Sequence, residues 1–163
     1  MSTPWKDAEN AFWQFLADDA TLGADATFLA LHQYRSHQGR GLPFADSQAA
    51  FKDPTLTPAL WLRLVGIDSD ISTPRATLCM FDFEGGLAYA LPSDATSRDA
   101  FEGVVEAVRG AILRRMTADA EGISVHALTN ERIVEVTPPG AFAPIIGHVW
   151  TFRLRIGFEA YVG

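Results

Sequence analysis

From Trp150 to Glu159 the chain alternates without a break. Trp150, Phe152, Leu154, Ile156 and Phe158 interleave with Thr151, Arg153, Arg155, Gly157 and Glu159. Successive side chains of a strand point to opposite faces, so a period of two marks a strand with one covered and one open face. The strand is read over Ile145–Val162, with its aromatic and aliphatic face in a core. Arg153 and Arg155 lie on the other face, toward solvent or a partner.

The core needs a second layer, and the helical periods supply it. Phe101, Val104, Val105, Val108, Ile112, Leu113 and Met116 make one apolar face of a helix running from Arg98 to Met116. Thr96 and Asp99 fit a loose capping box, and acids early with arginines late complement the helix dipole. Ala100, Gly103, Ala107, Gly110 and Ala111 form a second stripe of small side chains. Glycine inside a helix costs about 1 kcal/mol relative to alanine. Such a stripe fits either packing on the chain's own sheet or contact with a neighbouring copy. A first helix starts at Thr3-Pro4 and ends near Asp18-Asp19, with Trp5, Ala8, Phe12, Phe15 and Leu16 on its apolar stripe and Trp13 off it.

Strands are expected at Ala59–Ile67, Arg75–Phe83, Ile123–Leu128 and Glu131–Val136, and Ala26–Tyr34 reads as a strand or a short helix, its length and its exit into Ser36–Gly41 favouring the strand. Asp68–Pro74, Glu84-Gly85-Gly86 and Thr129-Asn130 read as turns, with Leu87–Leu91 as a returning hairpin arm. Ser36–Pro58 holds two glycines and three prolines and reads as a long projecting loop that orders against a partner. Together these elements predict a single α+β domain over residues 1–163. Its mostly antiparallel sheet is packed by one long central helix and an N-terminal amphipathic helix, with the loop inserted at about 36–58.

Hydrophobic residues make up 48% of the chain and charged residues 20%, which fits a folded domain rather than disorder. No apolar run approaches the roughly 18 residues of a membrane span. The first residues lack the basic-then-apolar order of a secretory signal. The net charge is −7, which argues against clamping nucleic acid by phosphate neutralisation. The basic set is 11 Arg and 2 Lys, a skew that fits GC-rich codon usage or an interface-rich surface. A lone cysteine, Cys79, excludes an internal disulfide and sits in an apolar strand with no base at fixed spacing.

No metal site, cofactor site or catalytic site is predicted. His32 and His37 are five apart, which suits neither one helix face nor one strand face. His126 and His148 lie in expected strands and read as ordinary surface or edge residues. Asp82 and Glu84 share a strand face and could act as an acid/base pair, but a solvated strand end explains them more simply. The phosphate-binding glycine loops and the G-x-S-x-G nucleophile motif are missing. A non-enzymatic role follows by elimination; the competing reading is a ligand-binding or enzymatic domain with Asp82, Glu84 or His126 in a pocket.

The order of elements resembles the tail terminator (tail-completion) proteins of long-tailed bacteriophages. It runs from a short amphipathic helix, through an irregular loop and strands around Pro58-Ala-Leu-Trp-Leu-Arg-Leu64, to the single helix Arg98–Met116. A hairpin and the final strand around His148–Phe158 close the chain. The resemblance implies a virion structural protein that caps the tail tube as a homo-oligomeric ring, hexameric in that family. Its partners would be its own copies, the tail tube protein and head–tail connector proteins, with DNA passing through but not tightly bound and with no membrane. It implies assembly in the host cytoplasm and residence in the virion. Related neck, connector or contractile-machine adaptor proteins share the same physics. Candidate subunit contacts are Ala100, Gly103, Ala107, Gly110, Arg153 and Arg155, and the candidate partner loop carries Arg40, Phe44 and Phe51.

Overall fold

The alternating segment lies in one of the two longest strands of a five-stranded sheet. The computed structural model describes residues 4–25, 32–35, 57–70, 76–92, 96–116, 123–136 and 145–161. Its helices are α1 (Pro4–Asp18), α2 (Ala20–Gly23) and α3 (Ser97–Met116). Its strands are β1 (His32–Arg35), β2 (Ala59–Asp70), β3 (Ala76–Pro92), β4 (Ile123–Val136) and β5 (Ile145–Tyr161). The strand order is β1-β2-β3-β5-β4, with β1 parallel to β2 and every other pair antiparallel. This is the expected α+β class with a mostly antiparallel sheet. The loop read over Ser36–Pro58 lies outside the described residues except for Thr57 and Pro58, which lead into β2.

Both long helices pack on the face of the sheet that carries the apolar set of β5. Trp150, Phe152, Leu154 and Ile156 are buried opposite Leu87, Gly85, Phe83 and Phe81 of β3. Leu60 and Leu62 of β2 extend this layer on one side and Val125 of β4 on the other. Phe101, Val104, Val105, Val108 and Ile112 of α3 cover it as the periodicity predicts. Ala111 belongs to this core rather than to the small-residue stripe, whereas Met116 is exposed. The apolar face of α1 is wider than its spacing suggested. Trp13 is buried edge-on against Phe12, with ring centroids 5.5 Å apart, and Glu9 is buried as well.

Asp19 joins the helices at one end. Its carboxylate accepts from the N–H groups of Thr21 and Leu22, capping α2. It also receives Nε and Nη2 of Arg114, both at 2.8 Å. The Arg114 hydrogen bond holds the Asp19 carboxyl below the usual carboxylate range, against the opposing effect of partial burial.

Three expected turns are strand instead. Glu84-Gly85-Gly86 runs straight through β3, because the space where side chains would stand is taken by rings from neighbouring strands. A Cβ on Gly85 would lie 2.6 Å from the Phe152 ring, and one on Gly86 would overlap the Trp61 indole. Thr129-Asn130 is a bulge: Asn130 has φ 54, and the register slips between Thr129 and Arg132 while β4 stays paired with β5. Asp68–Asp70 continue β2 opposite Met80, Cys79 and Leu78. The strand expected at Ala26–Tyr34 is represented among the described residues only by the start of β1.

Candidate functional site

Because β5 alternates, its second face is set by the same residues that make its core. On that face Arg63, Glu84 and Arg153 fall in one cross-strand row, and Asp82 and Arg155 in the next. Arg63 Nη2 donates to Glu84 Oε2 at 2.6 Å, and Arg155 Nε lies 3.8 Å from Asp82 Oδ1. Arg153 is exposed and makes no ion pair among the described residues. Three arginines thus stand against two carboxylates in a protein whose net charge is −7. Asp82 and Glu84 share a face as expected, but each is engaged by an arginine. Toward the start of β2 this face turns apolar, where Ala59, Trp61, Ala88 and Val149 are buried.

The other exposed region lies between α3 and the β4 edge. A groove of about 450 Å³ is lined by Glu102, Val105, Glu106, Arg109, Glu131, Arg132, Ile133 and Trp150. Arg109 bridges it with Nε and Nη2 at 2.8 and 3.3 Å from the two Glu131 oxygens. Beyond it Arg98 donates to Glu102 at 2.8 Å and to Glu135 at 3.4 Å. Ile133 and Val134 are 46% and 48% exposed, so this end of β4 shows an apolar side chain to each side of the sheet. Four glutamates, at 102, 106, 131 and 135, outnumber Arg98, Arg109 and Arg132 here.

The small-residue stripe of α3 faces outward. Ala100 and Gly103 are exposed, Ala107 and Gly110 half-buried, and a Cβ on Gly103 would meet nothing within 4 Å. Packing on the chain's own sheet therefore does not account for Gly103. A Cβ on Gly110 would lie 3.2 Å from the Arg114 guanidinium. Arg40, Phe44 and Phe51 lie outside the described residues, as does His37.

The residues named for a pocket do not line the groove. Asp82 and Glu84 are on the opposite face, and His126 sits at a bulge in β4 with its ring over Gly157 and Nε2 2.9 Å from Ser124 Oγ. His148 is not the surface or edge residue its sequence context suggested. It is fully buried under Phe101, between α3 and β4. Its place on the even-numbered, apolar side of β5 was the signal available in the sequence. Among the described residues no group of three or more His, Cys, Asp or Glu could hold a metal ion, and no helix is long and apolar enough to cross a membrane.

No family model and no curated protein matches the chain.

Proposed function

We propose that this chain is a virion structural protein, the subunit of a homo-oligomeric ring that caps a phage tail tube at the head–tail junction. The observation that carries the reading is the pair of unlike surfaces on opposite sides of the molecule. In two neighbouring rows of the open face three arginines stand against two carboxylates, and around the groove between α3 and β4 four glutamates stand against three arginines. A head-to-tail ring needs two different, mutually complementary patches on every subunit. In this reading Arg153 and Arg155 of one copy meet carboxylates such as Glu106 or Glu131 of the next. The outward stripe at Ala100, Gly103, Ala107 and Gly110 lets a neighbouring backbone approach closely.

Exposed ion pairs contribute only about 0–1 kcal/mol each, so they orient the contact rather than drive it. Ile133 supplies apolar area on the acidic side and Val134 on the open face of the sheet. Partner-directed contacts to the tail tube or connector proteins are assigned to the segment carrying Arg40, Phe44 and Phe51. An acidic subunit also suits a ring through which DNA passes without being held. The subunit itself performs no bond-making chemistry in this reading.

Native mass spectrometry and tube-capping assays test it. The wild-type chain is expected to form a closed ring, in solution or on tail tubes. Arg153→Glu with Arg155→Glu should stay folded, with only a small fall in melting temperature from the loss of the Arg155–Asp82 contact, yet remain monomeric. A wild-type chain that stays monomeric and fails to cap tubes overturns the reading. Loss of folding in the double variant would show that the arginine face is structural instead.

A further inference from the structure

We propose that His148 is a proton-operated latch, whose charging at mildly acidic pH unseats the first half of α3 from β4 and β5. The inference is independent of the ring reading. His148 lies on the helix-covered side of β5, 1% exposed, with the Phe101 ring stacked on it at 5.1 Å and 22°. Among the described residues neither Nδ1 nor Nε2 has a hydrogen-bond partner. Buried polar atoms are nearly always paired, so two orphaned nitrogens on one ring are an exception that carries a cost. The neutral ring leaves one N–H and one lone pair unmet. The imidazolium would carry two N–H donors and a full charge in the same site.

The groups around the ring decide which way it responds. From α3 come Arg98 and Glu102, and from β4 comes Glu135, with Oε1 3.9 Å from Nδ1. Tyr89 of β3 stands opposite in register, and Gly147 and Val149 flank the ring on β5 without charge. Glu135 favours the imidazolium, but it is half exposed and shared with Arg98, whose charge opposes protonation. Burial prevails and holds the His148 pKa below its ordinary value, with Arg98 adding to the effect and Glu135 and Glu102 opposing it.

In the opened site the pKa returns toward about 6.5. Between the lowered and the ordinary value, the open form therefore binds more protons than the closed one. The advantage of the closed form is complete above about pH 6.5 and is lost as pH falls through the window beneath it. The ion pairs that tie this part of α3 to β4, Arg98–Glu135 and Arg109–Glu131, are exposed and resist opening little.

Hydrogen exchange at about pH 7.4 and about pH 5.4, corrected for intrinsic rates, tests the latch, because the lower value lies under the ordinary histidine pKa. Amides of 97–108 should lose about five-fold more protection on acidification than those of α1, because the open form there takes up a proton that the closed form refuses. His148→Phe keeps an aromatic ring under Phe101 and cannot be protonated, so the two helices should then respond alike. Glu135→Gln removes the attraction for the imidazolium and should make the α3 loss larger. Equal losses in the wild type and His148→Phe overturn the proposal. Should His148→Phe not fold, the exposed Glu135→Gln change decides, and a loss equal to or smaller than that of the wild type overturns it.

Discussion

The centre of the sheet and its β4 edge are built on opposite terms. At the centre, β3 and β5 stay in register from Ala76–Tyr161 to Pro92–Ile145. Two glycines there are occupied by aromatic rings from the strands on either side. At the edge, β4 breaks register twice against β5, at Val125/Ala127 and at Thr129/Arg132. It leaves Ile133 and Val134 in solvent and is tied to α3 by exposed arginine–glutamate pairs. Shape specifies the centre, where a change of one methyl group is felt. Charge and water hold the edge, where rearrangement costs little. Bulges and charged side chains also protect an open strand edge from indiscriminate pairing. The surfaces assigned to assembly, and the histidine latch, adjoin this looser side.

The largest effect expected is at the centre. Phe152→Ala removes the ring that fills the space above Gly85 and should cost about 3–5 kcal/mol in urea unfolding. A cost below about 1.5 kcal/mol would mean that the centre collapses readily around the gap, and the contrast with the edge would fail. Gly86→Ala should cost about 1–3 kcal/mol, because the new methyl group overlaps the Trp61 indole. Trimming the indole should return part of that loss. Trp61→Leu combined with Gly86→Ala is therefore expected to be less destabilised than the sum of the two single changes.

The same two glycines explain why part of the fold was legible in the sequence and part was not. Local periodicity carries what a half-buried strand or an amphipathic helix needs, so β5, α3 and the stripe of α1 were readable from residue order. Gly85-Gly86 has the composition of a turn, and only the rings of Phe152 and Trp61, 67 and 25 positions away along the chain, make it a strand centre. Asn130 likewise adopts the left-handed conformation of a turn residue, but the strand beside it continues, so the result is a bulge. At the candidate surfaces, Arg153 and Arg155 follow from alternation alone. The groove does not, because Glu102, Glu106 and Arg109 come together with Glu131 and Ile133 only through the placing of β4 at the edge. Burial of His148 was implied by its parity with Trp150, yet its orphaned nitrogens depend on which neighbours lack a donor or acceptor.

The smallest effect expected is the most exacting test of the edge. Arg109 and Glu131 make two hydrogen bonds across the groove, a geometry that would be strong if it were dry. Both side chains are solvent-accessible, and the hydrogen bond to Glu131 is the main reason the Arg109 pKa is raised. A double-mutant cycle of Arg109→Ala and Glu131→Ala should return a coupling of about 0.2–1 kcal/mol. It should shrink further between low salt and about 1 M salt, where the screening length falls to about 3 Å. A coupling above about 2 kcal/mol that is indifferent to salt would mean that the pair is effectively buried and that α3 is clamped to β4 as firmly as β3 is to β5. The exposed ends of β4 would then be rigid presentation surfaces, and opening near His148 would have to overcome that clamp. A weak, salt-sensitive coupling leaves α3 free to lift from the edge without disturbing the aromatic centre beneath it.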